Sequence, residues 1–212
     1  MIKGVFFDLD GTLLDTFDLI YESFKYVYQK FFNQTITREE IYPHFGKPLI
    51  YSFGNLDAER LDQIIEAYRE FNLKHHDQMV KPFPGVEETL RGLKEKKLKL
   101  TVITSKMKNT AIRGLKLFNL DPYFDLVIGM EDTDKHKPDP APVKLALEYL
   151  KLNPAECLMV GDSPHDMLSA KAAGVRTVAV KWTVIPWEEL RKTNPDYIID
   201  SLKDLLKISE VD

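Results

Sequence analysis

A chain of 212 residues with 44% hydrophobic content can bury one full-sized core and still carry a substantial insertion. Its 29 basic and 33 acidic side chains are interspersed and give a net charge of -4, which excludes a sustained basic face for a nucleic-acid backbone. No apolar run reaches the ~18 residues of a membrane span, GVFF is cut short by Asp8 too early for a signal peptide, and the lone Cys157 excludes an intramolecular disulfide. Together these features predict a cytoplasmic protein with neither membrane nor nucleic acid as partner.

In chain order, GVFFDLD is a short apolar strand that ends in acid and glycine and feeds a loop. The period then changes. Phe17, Ile20, Tyr21, Phe24, Val27, Tyr28 and Phe31 repeat at helical spacing and form one apolar stripe, preceded by Asp15 as a helix cap. Thr37 with Glu40 forms a capping box for a second, short helix that the Pro43 to Pro48 region ends. Leu61, Ile64, Ile65, Tyr68 and Phe71 mark a longer amphipathic helix running toward His75, with His75 and His76 read as surface or hinge residues. Nothing between Asp15 and Lys81 signals a strand, and KPFPG reads as a return linker.

Beyond that linker helix and strand alternate: VEETLRGLKEK, KLTVITS, NTAIRGLKLF, DLVIGM, APVKLALEYL, CLMVGD, PHDMLSAKAAG, RTVAVKW, PWEELRK, YIID and SLKDLLK. Apolar strands joined by short helices are what a parallel sheet covered on both faces requires, since each parallel connection is a crossover. The predicted fold class is α/β, a doubly wound, mostly parallel sheet of residues 1–15 and 82–212, with an all-helical domain of residues 16–81 inserted after the first strand. Cys157 falls inside an apolar strand and reads as buried.

Ligands of open parallel sheets bind at the carboxyl ends of the strands, and four strands here end in polar residues. Asp8 and Asp10 follow the first, Thr104 and Ser105 end ITS, Lys137 lies after VIGM, and Asp162 with Asp166 follows LMVG. Carboxylates at this density repel one another unless a cation sits between them, and an all-oxygen set suits Mg²⁺. An ammonium and a hydroxyl beside that cation can hold a phosphoryl group. Each residue alone has a plainer use: paired aspartates form turns and caps, Thr104 and Asp166 suit helix caps, and Lys137 suits a solvated surface.

As an ordered set, these residues resemble the haloacid dehalogenase-like phosphatase superfamily. Asp8-Leu9-Asp10-Gly11-Thr12 matches its first motif, Thr104 the second, Lys137 in KPDP the third and Gly161 to Asp166 the fourth, and the helical block matches its cap. The resemblance implies that Asp8 attacks phosphorus to form an aspartyl-phosphate, while Asp10 protonates the leaving oxygen and then activates water. It further implies that Mg²⁺ is held by Asp8, the Asp10 carbonyl and Asp162, and that Asp166 assists through water or by orienting Lys137. Thr104 and Ser105 would bind phosphate with Lys137, and the cap would open and close about Asp15 and the Lys81 to Gly85 linker.

REFNLKHHDQMV, VAVKWT and NPDYIID resemble a pyrophosphatase branch beside the phosphoglycolate phosphatases. Inorganic pyrophosphate is therefore the expected substrate, with Lys47 in FGKP as a candidate cap specificity residue and a monomer or homodimer as the assembly. Phosphoglycolate or another small phosphomonoester is the first alternative, and a sugar phosphomutase, which keeps both aspartates, the second. Asp10 argues against dehalogenation, because dehalogenases of the superfamily lack the second aspartate. A receiver-type phospho-accepting module would be shorter, without a cap, and would take its phosphoryl group after a middle strand. A catalytically silent binding protein completes the alternatives.

Overall fold

The computed structural model describes residues 1–54 and 56–208. Its central sheet contains β1 (Gly4–Phe7), β4 (Lys99–Ile103), β5 (Leu126–Ile128), β6 (Cys157–Gly161), β7 (Arg176–Val180) and β8 (Tyr197–Ile199). Their spatial order is β5-β4-β1-β6-β7-β8, and every neighbouring pair is parallel. The fold is thus the doubly wound α/β sheet that the alternation predicts.

The crossovers are α4 (Val86–Glu95), α5 (Lys108–Leu117), α6 (Ala141–Leu150), α7 (Pro164–Ala172) and α8 (Trp187–Arg191), with α9 (Leu205–Ile208) closing the described chain. Because successive strand residues point to opposite faces, one apolar run serves two cores. Val5, Phe7, Leu158 and Val160 pack on one face, whereas Phe6, Cys157 and Met159 pack on the other. Cys157 is wholly buried, and burial pushes its thiol up to about 12, so it behaves as a small core residue.

Between the first and second strands of this sheet stand α1 (Phe17–Phe32), α2 (Arg38–Ile41) and α3 (Ala58–Met79). The predicted capping box of α2 is present: the Thr37 amide donates to Glu40 Oε2 at 2.7 Å and the Glu40 amide to Thr37 Oγ1 at 3.4 Å. Phe24, Val27, Ile41, Phe53, Ile64 and Tyr68 form a separate hydrophobic cluster, joined from the sheet side by Ile185.

A two-stranded antiparallel ribbon, β2 (Leu14–Asp15) with β3 (Lys81–Pro82), ties the entry and exit of the helical block together. Sequence patterning misses it, because two-residue strands carry no period. Asp15 lies in this ribbon, where its carboxylate accepts from the Phe17 amide at 3.3 Å and pairs with Lys81 at 3.3 Å. His76 departs from its expected surface setting. It is completely buried at the foot of α3, its Nδ1 2.8 Å from Asp77 Oδ1, with its ring against Gly114 of α5. Asp77 in turn receives two hydrogen bonds from Arg113 of α5, at 3.0 and 2.9 Å. The helical spacing shows His76 on a helix face but not that α5 covers that face.

Candidate active site

Adjacent parallel strands lie about 4.8 Å apart, so residues just beyond the ends of β1, β4 and β6 become neighbours. Asp8 follows β1, Thr104 follows β4 and Asp162 follows β6. Asp8 is fixed by its amide, which donates to the Val160 carbonyl at 2.9 Å, and Thr104 by its amide on the Ile128 carbonyl at 3.0 Å. The three residues are at most 5% exposed.

Lys137, also buried, inserts its ammonium among them. Nζ donates to Asp8 Oδ1 at 2.7 Å, to Asp166 Oδ1 at 2.6 Å and to the Ile103 carbonyl at 3.0 Å. The other oxygen of Asp166 accepts from the Ser163 amide at 3.1 Å and the Ser163 hydroxyl at 2.6 Å, closing a capping box at the start of α7. Both oxygens of Asp166 are thus engaged, one by Lys137 and the other by Ser163.

Asp8, Asp162 and Asp166 offer oxygens within 4.8 Å of one another. Three buried carboxylates against one ammonium leave an excess of negative charge. Burial pushes Asp8 up to about 7, with Asp166 and Asp10 adding to the rise and Lys137 opposing it. Burial, followed by the charges of Asp8 and Asp166, raises Asp162 well above the usual carboxylate range, with Lys137 opposing. Desolvation acts against the charged form of Lys137, but Asp166 and Asp8 outweigh it and keep the ammonium protonated. A hard divalent cation would relieve this crowding, and the donor set fits one. Gly11 makes the approach feasible: its φ is +84°, and a Cβ there would lie 2.4 Å from Asp162 Oδ2.

Asp10 stands outside the carboxylate cluster. Its Oδ1 accepts from Lys106 Nζ at 2.8 Å, a pair whose side chains are 19% and 13% exposed. Lys106 was not singled out by the sequence; the available signal was its place two residues after Thr104 in TSK, in the loop after β4. That loop is pinned: the Lys106 amide donates to Thr104 Oγ1 at 3.2 Å, which leaves the threonine hydroxyl proton to be donated elsewhere. Ser105 turns toward the helical block, its hydroxyl donating to the Gly46 carbonyl at 3.0 Å.

A cavity of about 330 Å³ lies between the helical block and the sheet edge. Asp8, Asp10, Thr104, Ser105 and Lys106 form its floor. The opposite wall carries Ile20, Phe24, Leu49 and Leu73, together with His44, Lys47, Arg69 and Asn72. Lys47 is exposed at the rim. Burial holds the imidazoles of His44 and His165 below their ordinary range, and the Lys47 charge adds to this in both. Asn72, which sequence reading also missed, is buried and donates to Ser23 Oγ at 3.1 Å, bracing α3 on α1.

Comparison with known proteins places the chain in a family. The model of the haloacid dehalogenase-like hydrolase family matches residues 5–180. A protein of Caldanaerobacter subterraneus bearing the PpaX name is 50% identical over 98% of this chain and 94% of its own. Pyrophosphatase PpaX of Anoxybacillus flavithermus is 43% identical over 98% of this chain and 96% of its own. A Bacteroides fragilis crystal structure of haloacid dehalogenase-like type superposes with a TM-score of 0.91 at 32% identity, covering 97% of this chain and all of that one. By family model, sequence identity and fold, the chain belongs to the haloacid dehalogenase-like hydrolase family and is a phosphohydrolase.

Proposed function

We propose that the protein is an Mg²⁺-dependent inorganic pyrophosphatase that works through an aspartyl-phosphate on Asp8, with residues 16–81 acting as a cap hinged at the ribbon of β2 and β3. The observation that carries the substrate assignment is a pair of cap cations, Lys47 and Arg69, on the wall facing Asp8 and Asp10. Neither forms an ion pair among the described residues, so both are available to the distal phosphate. Relatives of the same length that carry the name pyrophosphatase support the reading.

In this mechanism Asp8 attacks the near phosphorus in line, opposite the departing oxygen. Thr104 donates its hydroxyl proton to a phosphoryl oxygen, and Lys137 places a fixed positive charge beside the developing pentacoordinate centre. Asp10 then takes a proton from the water that cleaves the aspartyl-phosphate. Asp8, Asp162 and the Asp10 carbonyl would hold the metal, with Asp166 orienting Lys137. Mg²⁺, when bound, neutralises charge on the phosphoryl oxygens and so lowers the repulsion between two anions.

A second reading is favoured by the apolar wall of Ile20, Phe24, Leu49 and Leu73, which suits the organic leaving group of a phosphomonoester. Phosphate release in Mg²⁺ from pyrophosphate, phosphoglycolate and sugar phosphates decides between them, with Asp8→Asn protein as the blank. Preference for pyrophosphate supports the proposal, and preference for an ester replaces it.

Two further outcomes are expected. Lys47→Ala and Arg69→Ala each raise KM for pyrophosphate about 5- to 20-fold while kcat changes less than about 3-fold, because contacts to the distal phosphate persist from ground state to transition state. Steady-state kinetics check this, and unchanged KM in both variants removes the distal-phosphate assignment. Gly46→Ala weakens cap closure. Gly46 has φ +76° and would place a Cβ 2.8 Å from Ser163 Oγ, so the loop bearing Lys47 must lift from the core. KM rises several-fold with little change in melting temperature, read by the same kinetics and a thermal melt.

A further inference from the structure

The ion pair between Lys106 and Asp10 has no part in the chemistry described so far. A lysine bound to the acid-base carboxylate is of little help to a leaving alcohol, which must be given a proton as it departs. Orthophosphate is a different leaving group. When Asp8 Oδ forms its bond to the near phosphorus, the bond from that phosphorus to the bridging oxygen breaks and its electron pair leaves with the oxygen. The departing phosphate gains one negative charge; leaving from a distal group that already holds one proton it departs as hydrogen phosphate, an ordinary form near neutral pH, and needs no further proton in that step. What the site must supply is a fixed cation in a water-poor setting.

Lys106 meets that need. Its side chain is 13% exposed and lines the cavity beside Asp10 and Thr104. Its backbone is held at both ends, the amide on Thr104 Oγ1 at 3.2 Å and the carbonyl accepting from the Met130 amide at 2.9 Å. The loop cannot drift, whereas the long side chain can swing. Asp10 is the one acidic partner of its ammonium among the described residues. Burial disfavours a charge on the nearby His76 imidazole, so the cation that α3 presents to the cavity is Arg69, on the wall opposite Lys106.

We propose that Lys106 is a catalytic leaving-group residue, whose ammonium moves from Asp10 to an oxygen of the departing phosphate and thereby biases the enzyme toward phosphoanhydrides over alkyl phosphate esters. The inference rests on the pyrophosphatase reading and deepens it. Release of the Lys106 ammonium also frees the Asp10 carboxylate to take the proton of the hydrolytic water in the second step.

The test uses Lys106→Cys in the full chain with Mg²⁺ and pyrophosphate. Because Cys157 is fully buried, the introduced thiol is the reactive one. The variant loses about 100-fold in kcat, within the range of about 10²- to 10³-fold known for removal of one electrostatic donor. Aminoethylation of that thiol with bromoethylamine, which restores an ammonium at nearly the native length, recovers at least about a tenth of the wild-type rate. Capping with iodoacetamide fills the same space without charge and recovers nothing. Equal rescue by the two reagents, no rescue by aminoethylation, or a loss below about 3-fold in the unmodified variant overturns the proposal while leaving the pyrophosphatase reading intact. Wild-type protein that spares pyrophosphate but hydrolyses a phosphomonoester overturns both.

Discussion

Asp8→Asn is expected to lower turnover by at least about 10⁴-fold while leaving the fold in place, since removal of a covalent nucleophile costs on the order of 10⁶-fold in well-studied hydrolases. The asparagine amide keeps the shape of the carboxylate and an oxygen that accepts from Lys137, now 2.7 Å from Asp8 Oδ1. It cannot donate an electron pair to phosphorus with comparable ease. Stability is expected to hold or rise, because one of three buried like charges disappears from the set of Asp8, Asp162 and Asp166. Acid-quenched wild-type protein should yield a phosphorylated peptide containing Asp8 by mass spectrometry, and the variant none. Near-normal rates in folded Asp8→Asn protein would remove the aspartyl-phosphate mechanism altogether.

Lys137→Met is expected to give the largest loss of stability. The substitution takes the only ammonium out of a buried cluster in which it bonds Asp8, Asp166 and a backbone carbonyl. Breaking a buried pair by removing one partner costs about 3 to 5 kcal/mol, because the remaining charge is left uncompensated. For a chain of this size that corresponds to a fall of roughly 10 °C in melting temperature. Two conditions should return part of it. Mg²⁺ should stabilise the variant more than the wild type, since the cation supplies the missing positive charge.

Acidification should also help, and the sign follows from proton binding. Burial raises folded Asp8 from the ordinary 3.8 to about 7, so between those values the native state binds a proton that the unfolded chain does not. Metal-free stability therefore falls as pH rises through that window, and the deficit of Lys137→Met should be smaller at pH 5 than at pH 8. Thermal melts at both pH values, with and without Mg²⁺, check the expectation. A deficit independent of pH and metal would mean that Lys137 matters for packing alone.

Much of this site was legible in the chain. Asp8, Thr104 and Asp162 each stand immediately after an apolar run, and in a parallel sheet that position alone sends them to one edge. The capping box of Thr37 with Glu40 is set by spacing within four residues. Local rules of this kind survive folding because backbone hydrogen bonding and strand alternation act over a few residues.

Other features depended on which surfaces met. The sequence placed His76 on a helix, but only the packing of α3 on α5 buried it against Gly114. Ser105 was read as a phosphate ligand from its place beside Thr104, whereas the approach of the cap turned its hydroxyl to the Gly46 carbonyl. Lys106 and Asp10 are separated by 96 residues, and no periodicity links them until β1 and β4 lie side by side. What the sequence by itself determined was the order of elements and the chemistry at each strand end, because those follow from short-range pattern. Only the tertiary structure decided which charge faces which, because ion pairing and burial are properties of the space between elements distant in the chain.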